Sequence, residues 1–297
     1  MWERDSTRFN PFSKIHQDKI PYIIRREAGN VGLFSYFITI LGGIAYAEQN
    51  GYIPVVDMKH YPNAYLYESE YGLVNSWEYF FEQPDGLSLE EALSCRKYIL
   101  GKDTALFLRP AQTAKFFLNQ DGKLDYWRKI CRKYIRFTPP VLEHLQRLLR
   151  KTQGKKILGV LVRGTDYTSL KPKHHPVQPT AEQAVAKTQE VLEGGDFEAV
   201  YLATEDKRIL AKFQEAFGEK LILPESRCFD YDYDSPEYLC KYMNNDKYSL
   251  GLDYLVSMLF LSKCKGFITS LTSGSTGVMC LSEGFDYLYV FDLGVYE

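Results

Sequence analysis

Short apolar runs alternate with helical patterns through the second half of the chain, and this alternation constrains the fold more than any other feature. The predicted strands are Ile157–Val162, Ala199–Ala203, Leu221–Leu223, Phe267–Thr269 and Tyr287–Phe291, and the predicted helices are Ala181–Leu192, Lys207–Phe217, Leu250–Leu261 and Ser275–Ser282. Strands that alternate with helices over short connections form βαβ units and a parallel sheet. Right-handed crossovers then bring every strand-to-helix loop to one edge of that sheet.

The first half of the chain is also α/β but less regular. It contains predicted strands at Tyr22–Ile24 and Ile53–Asp57 and predicted helices at Leu33–Gln49, Lys123–Tyr134 and Val141–Lys151. A polar turn, Thr152-Gln153-Gly154, then separates the two halves. We therefore predict two domains, 1–153 and 154–297. We expect an α/β architecture in which two Rossmann-like domains face each other across a cleft.

The composition narrows the class of protein. The 297 residues carry a net charge of −2, so the chain lacks the basic surface that non-specific nucleic-acid binding needs. Six cysteines are scattered without Cys-x-x-Cys spacing, which fits reduced thiols better than zinc or a disulfide framework. No apolar run approaches the roughly 20 residues of a membrane helix. We expect a cytoplasmic protein, for which peripheral association with a membrane stays open.

Arg163 and Asp166 directly follow the apolar run Ile157–Val162. In open α/β sheets, ligands bind at the carboxyl ends of the strands. The planar guanidinium of an arginine at that edge suits phosphate, because it donates two parallel hydrogen bonds and stays charged. A strand-end salt bridge between Arg163 and Asp166 is the alternative, and the spacing alone leaves both readings open.

Other polar segments stand at neighbouring strand ends. Thr269–Gly277 is rich in hydroxyls and glycines before a helix, which is typical of an anion site, although a capped loop has the same composition. Thr204-Glu205-Asp206 is typical of helix capping by the threonine. Asp253 lies early in a helix, where a solvated acid is the simpler interpretation. In the first half, Gly29-Asn30-Val31-Gly32 allows a close approach of the backbone to a phosphate.

The order of these segments resembles the α-1,2/α-1,6/protein O-fucosyltransferase superfamily, which has a GT-B fold. The likeness is greatest to the α-1,6 and nodulation-type branch. That family has His-x-Arg-Arg-x-Asp at a strand end, where this chain has Leu161-Val162-Arg163-Gly164-Thr165-Asp166. The likeness continues through His175-Pro176-Val177, Tyr201–Asp206, Asp253 and Phe267–Ser275, and it includes the glycine loop and helix of Gly29–Gly43. Leu161 and Gly164 depart from the family pattern, which has histidine and arginine at those two positions.

The resemblance implies a role for each matching residue. Arg163 would hold the β-phosphate of GDP-fucose. Asn30 and Gly32 would donate backbone hydrogen bonds to the diphosphate, while Thr272 and Ser273 would bind phosphate from the opposite domain. Asp253 would recognise guanine, and Asp206 is counted among the donor-binding residues. Asp166 is assigned either to catalysis as a general base or to the orientation of Arg163, and Glu205 and Glu78 are the other candidate bases.

The function implied is that of an inverting glycosyltransferase that moves L-fucose from GDP-fucose, or the sugar of another GDP-sugar, to a hydroxyl of a glycan. The first domain would bind the acceptor and the second the donor, in the biosynthesis of a surface polysaccharide. No metal or cofactor is expected, because Arg163 and a helix N-terminus would stabilise the departing diphosphate. A non-catalytic nucleotide-sugar or glycan-binding protein on the same scaffold is the alternative. A nucleotide-binding epimerase or phosphotransferase is a third, which the absence of Gly-x-Gly-x-x-Gly and Walker patterns disfavours.

Overall fold

Two parallel β-sheets organise the chain, in a computed structural model that describes residues 19–26, 31–101, 123–224, 228–242 and 246–297. The smaller sheet has three strands in the order β2-β1-β3: β1 (Pro21–Ile24), β2 (Ile53–Val56) and β3 (Ile99–Leu100). The larger sheet has five strands in the order β6-β5-β4-β7-β8: β4 (Ile157–Leu161), β5 (Ala199–Ala203), β6 (Leu221–Ile222), β7 (Gly266–Ser270) and β8 (Tyr287–Phe291). The predicted α/β class with parallel sheets is confirmed.

In the described part of the first half, the helices are α1 (Leu33–Gln49), α2 (Leu89–Ser94), α3 (Lys123–Tyr134) and α4 (Pro139–Lys151). Helix α1 joins β1 to β2 and is buried over most of its length, because its side chains are apolar on nearly every face. Helix α4 begins two residues before the predicted start, since proline suits the first helical position. The short elements α2 and β3 were not predicted. Within the described ranges, no helix combines the length and apolar character needed to cross a membrane.

The helices of the second half are α5 (Thr165–Leu170), α6 (Ala181–Glu193), α7 (Lys207–Phe217), α8 (Lys247–Leu261) and α9 (Ser273–Leu281). The strand register makes the carboxyl ends of three neighbouring strands level, because Leu161 of β4 pairs with Ala203 of β5 and with Thr269 of β7. The loops after these strands therefore meet at one edge, as predicted. Helix α5 was not predicted, and it follows directly from Arg163-Gly164.

One hydrophobic cluster joins the two halves of the chain. Helices α1, α3 and α4 of the first half pack against α8 and α9 of the second. Phe34 of α1 packs directly over Gly277 of α9, where a Cβ on the glycine would lie 2.0 Å from the phenyl ring. This packing fixes the N-terminus of α1 against α9, at the sheet edges where the polar loops lie. The domain boundary at residue 153 stays a prediction.

Candidate functional site

Arg163 lies at the carboxyl end of β4 and is held by two carboxylates. Its Nε donates to Oε1 of Glu205 and its Nη2 donates to Oδ1 of Asp166, both at 2.9 Å. The guanidinium also lies over the ring of Tyr167, 4.8 Å from the centroid. Burial lowers the pKa of Arg163, but the negative charges of Glu205 and Asp166 outweigh this effect and raise it. The predicted salt bridge with Asp166 is thus present, and Glu205 is a second partner.

Both carboxylates also accept hydrogen bonds from backbone N–H groups. Oε1 of Glu205 accepts from the N–H of Gly164 at 2.9 Å and from the hydroxyl of Thr165 at 3.0 Å. Oδ2 of Asp166 accepts from the N–H of Leu239 at 3.2 Å. Thr165 is buried with a φ of 39°, which is strained for a β-branched residue. The hydrogen bonds to Glu205 stabilise this turn and with it the position of the guanidinium.

Two tyrosines lie in the surroundings of the guanidinium. Tyr167 lies beneath it, and burial raises the pKa of Tyr167. Burial also raises the pKa of Tyr254 to about 12, partly opposed by the positive charge of Arg163. The hydroxyl of Tyr254 lies 2.7 Å from the point where a Cβ on Gly274 would stand. Tyr254 therefore connects the surroundings of Arg163 with the first turn of α9.

Asp206 is the N-cap of α7 and is buried. Its Oδ1 accepts from the N–H of Arg208 at 2.8 Å, and its Oδ2 accepts from the N–H of Thr165 at 3.3 Å and from the Arg208 guanidinium at 3.0 Å. Burial raises the pKa of Asp206, but hydrogen bonds from Arg208, Tyr233 and Thr165 outweigh it and hold the pKa below its ordinary value. The prediction that Thr204 caps this helix is wrong, and the role of Asp206 in donor binding stays a prediction.

The N-terminus of α9 provides hydrogen-bond donors at the edge beside Arg163. Thr272 is the N-cap: its hydroxyl accepts from the N–H of Ser275 at 3.0 Å, and the Ser275 hydroxyl accepts from the N–H of Thr272 at 2.8 Å. In the described part of the chain, the N–H groups of Ser273 and Gly274 have no acceptor. Such groups, at the positive end of a helix dipole, form an anion site. The helix begins two residues earlier than predicted, at Ser273.

The first half of the chain reaches this site through the N-terminus of α1. The hydroxyl of Ser35 lies 3.2 Å from that of Ser273. Gly32 is the N-cap residue of α1, and its carbonyl accepts from the N–H of Ser35 at 2.9 Å. Gly32 is exposed at this edge, whereas Asn30 lies outside the described residues. The structure thus brings Gly32 and the pair Thr272 and Ser273 to one place, as the sequence predicts.

Asp253 lies on another face of α8 from its neighbour Tyr254 and lines a recess of about 20 Å³ between α4, β5 and α8. Leu148, Pro224 and Val256 form apolar walls of this recess. His144 also lines it, and the buried Nδ1 of His144 has no hydrogen-bond partner in the described residues. The volume is enough for about one water molecule. A guanine ring would need side-chain movement to enter, and its recognition by Asp253 stays a prediction.

The segment after α5 covers the site from the β7 side. His175 packs edge-on against Tyr167, with ring centroids 5.6 Å apart, and burial lowers the pKa of His175. The hydroxyl of Ser270, at the end of β7, donates to the buried side chain of Gln178. The N–H of Tyr296 donates to the carbonyl of His175 at 2.9 Å, so the C-terminal residues hold this segment in place.

Sequence reasoning missed three contributors to the site. Glu205 was considered as a base rather than as a partner of Arg163, and Tyr167 and Tyr254 were not considered. Each is next in sequence to a predicted site residue, namely Asp206, Asp166 or Asp253, and this adjacency is the signal that could have identified them. In the described ranges, no group of three or more His, Cys, Asp or Glu side chains is arranged to hold a metal ion.

Comparison with solved structures identifies the fold. The chain is similar to NodZ α-1,6-fucosyltransferase soaked with GDP-fucose, with a TM-score of 0.54 and 14% identity over 93% of this chain and 96% of that chain. It is similar to POFUT1 in complex with GDP, with a TM-score of 0.53 and 12% identity over 93% and 99% of the two chains. It is also similar to a mutant of Arabidopsis thaliana FUT1 in complex with GDP, with a TM-score of 0.55 and 10% identity over 91% of this chain and 69% of that chain.

These similarities show that the chain has the fold of the solved fucosyltransferase structures, which is the fold that the sequence resemblance implies. No protein-family model matches the chain, and no curated protein matches it.

Proposed function

We propose that this protein is an inverting glycosyltransferase that moves L-fucose from GDP-fucose to a hydroxyl of a glycan. The second half of the chain binds the donor and the first half binds the acceptor. The product is part of a surface polysaccharide made on the cytoplasmic side of a membrane. We propose fucose rather than the sugar of another GDP-sugar, because the solved structures that share this fold were soaked with GDP-fucose or determined in complex with GDP.

The observation that carries this proposal is the position of Arg163 next to the N-terminus of α9. Arg163 follows β4 and α9 follows β7, and these two strands are hydrogen-bonded neighbours with level carboxyl ends. A fixed cation and the N–H groups of Ser273 and Gly274, which find no acceptor among the described residues, therefore lie at one edge of the sheet. This combination suits a diphosphate better than a single carboxylate or a neutral ligand, because two adjacent anionic groups each find a donor.

The same groups favour cleavage of the bond between sugar and phosphate. As that bond breaks, positive charge develops at the anomeric carbon and negative charge on the departing diphosphate. Donors fixed in advance at the point where negative charge develops are usually the largest single catalytic term, and losing one costs about 3–4 kcal/mol. Glu205 and Asp166 hold Arg163 in place for this role, so we assign Asp166 to the positioning of Arg163.

The remainder of the donor is assigned by position. Asp253 and Tyr254 are consecutive residues of α8, and we assign the guanine to the recess that Asp253 lines. A carboxylate there accepts hydrogen bonds from the N1–H and the 2-amino group of guanine. Gly32 and the preceding loop, including Asn30, contact the diphosphate from the first half of the chain.

Calorimetry with GDP, UDP and CMP tests the donor assignment. We expect GDP to bind at least tenfold more tightly than UDP, and equal affinities would contradict the proposal. Incubation with GDP-fucose should then release GDP and fucose slowly in the absence of an acceptor, and a glycan array would identify the acceptor. A protein that binds GDP tightly but never cleaves GDP-fucose, with or without glycans, would be the binding protein that shares this scaffold.

A further inference from the structure

Asp57 and His60 form a hydrogen-bonded pair at the carboxyl end of β2. The Nδ1 atom of His60 lies 2.9 Å from Oδ2 and 3.1 Å from Oδ1 of Asp57. A carboxylate only accepts hydrogen bonds, so this contact places the ring proton on Nδ1 and leaves the lone pair on Nε2. In the described residues Nε2 has no hydrogen-bond partner, and the side chain of His60 is 35% exposed.

The carboxylate of this pair is fixed by its surroundings. The side chain of Asp57 is fully buried, and Nε of Arg25 donates to its Oδ2 at 2.7 Å. The backbone N–H groups of Lys59 and His60 donate to its Oδ1 at 3.0 and 3.2 Å. A buried carboxylate that orients one imidazole nitrogen while the other faces the solvent has the geometry of a general base and its orienting group.

The pair lies at the carboxyl edge of the smaller sheet, just beyond the last residue of β2. Its strand, β2, is parallel to β1, whose carboxyl end leads to the N-terminus of α1, where Ser35 meets Ser273 of α9. The segment after β2 reaches the same helix end, since the Tyr65 hydroxyl accepts from the N–H of Leu33 at 2.7 Å. His60 thus belongs to the segment that packs at the N-terminus of α1, and this helix end contacts the first turn of α9.

The acids suggested by the sequence are occupied elsewhere. Asp166 and Glu205 hold Arg163 and its backbone. Oε1 of Glu78 accepts from the side-chain amides of Asn75 at 3.2 Å and Gln83 at 2.8 Å. A base that already accepts such bonds is poorly placed to remove a proton from a substrate.

We propose that Nε2 of His60 is the general base that activates the acceptor hydroxyl, with Asp57 as its positioning residue. This inference rests on the proposed function. The proton of the acceptor hydroxyl passes to Nε2, and the acceptor oxygen forms a bond to the anomeric carbon. The bond from that carbon to the diphosphate breaks, and its electron pair leaves with GDP. The substrate class follows from this step, since the acceptor must present a neutral hydroxyl that needs deprotonation.

The experiment compares water with azide as the acceptor of fucose from GDP-fucose. Water needs a base, whereas azide is already an anion and has no proton to lose. In His60→Asn, the side-chain amide keeps a donor toward Asp57 but cannot take up a proton. We expect the rate of GDP-fucose hydrolysis, in which water is the acceptor, to fall about 100-fold in this variant. This is within the usual range for removal of a general base. We expect the dissociation constant for GDP to stay the same, and formation of fucosyl azide to proceed at the wild-type rate.

Two further variants make the result specific. In Asp57→Asn, the rate of GDP-fucose hydrolysis should fall less than in His60→Asn, because only the orientation of His60 is impaired. Azide should restore the transfer of fucose in this variant as well. Asp196→Asn, at an exposed turn between α6 and β5 and away from the site, should behave as wild type. The inference is overturned if His60→Asn hydrolyses GDP-fucose normally, or if azide and water lose rate equally. If the wild type itself transfers fucose to neither water nor azide, the proposed function is wrong rather than the assignment of His60.

Discussion

The carboxylate of Asp206 occupies the space that a side chain on Gly164 would need. A Cβ built on Gly164 would lie 2.2 Å from Oδ2 of Asp206, while that same oxygen accepts from the N–H of Thr165. The fucosyltransferase pattern that the sequence resembles has an arginine where this chain has Gly164. The glycine and the buried aspartate are therefore complementary, and a second arginine is incompatible with this packing.

Substitution of Gly164 by alanine should destabilise the protein. The added Cβ must displace a buried carboxylate that caps α7, and overpacking of this kind typically costs about 1–3 kcal/mol. Urea unfolding followed by circular dichroism would measure the change. Gly194→Ala is the matched control. Gly194 has a φ of −63°, and a Cβ added to it would lie 3.3 Å from its nearest neighbour, the carbonyl oxygen of Val191. Equal stability of the two variants would show that the Gly164 turn adapts to a side chain.

Asp206 should make the stability of the protein depend on pH in the acid range. Its pKa is lowered from 3.8 in the folded chain, so the unfolded chain binds the proton more readily. The contribution of Asp206 is therefore complete above pH 3.8 and is lost as the pH falls through the folded pKa. We expect Asp206→Asn to be about 1–3 kcal/mol less stable at pH 7, because the amide cannot accept all the same bonds. Its stability curve should be flatter below pH 4. An unchanged acid limb in this variant would contradict the assignment.

Much of the larger sheet is predictable because its apolar runs and helical patterns alternate clearly. The position of Arg163 at a strand end followed from that pattern, and so did its nearness to Thr272 and Ser273. These predictions need only the direction of the strands and the handedness of the crossovers. Sequence periodicity carries that information over the whole of 155–291.

The details that decide the chemistry depend on contacts between distant residues. Glu205 reaches Arg163 from the end of a different strand, and no local spacing indicates which oxygen accepts which proton. The N-cap of α7 is Asp206 rather than Thr204, because the helix begins at Lys207, as predicted, and Asp206 is the residue directly before it. Helix α5 is only six residues long and starts at Thr165, whose φ of 39° no propensity favours. The sequence does not indicate the pair of Asp57 and His60, because its importance depends on the burial of the Asp57 carboxylate and on the orientation of the His60 ring.

Arg163→Lys should fold but bind GDP weakly. Lysine keeps the positive charge that Glu205 and Asp166 need, whereas Arg163→Ala would leave two partly buried carboxylates without a cation and cost about 3–5 kcal/mol. The ammonium cannot bridge both acids and still donate to a phosphate, so we expect the affinity for GDP to fall about 10- to 100-fold. Calorimetry measures this, with Arg147→Lys on the exposed face of α4 as the control. Unchanged affinity would remove Arg163 from the phosphate site.

Asp253 should determine the preference for guanine. A carboxylate accepts from both N1–H and the 2-amino group of the base, and IDP lacks that amino group. A bidentate contact of this kind is worth about 1–3 kcal/mol, so the wild type should bind GDP about tenfold more tightly than IDP. Asp253→Asn should bind both nucleotides with similar affinity, because its amide presents one donor and one acceptor. Asp196→Asn, at an exposed turn, is the matched control and should keep the wild-type ratio. If Asp253→Asn also keeps that ratio, another group reads the base, and the unpartnered Nδ1 of His144 in the same recess is the next residue to substitute.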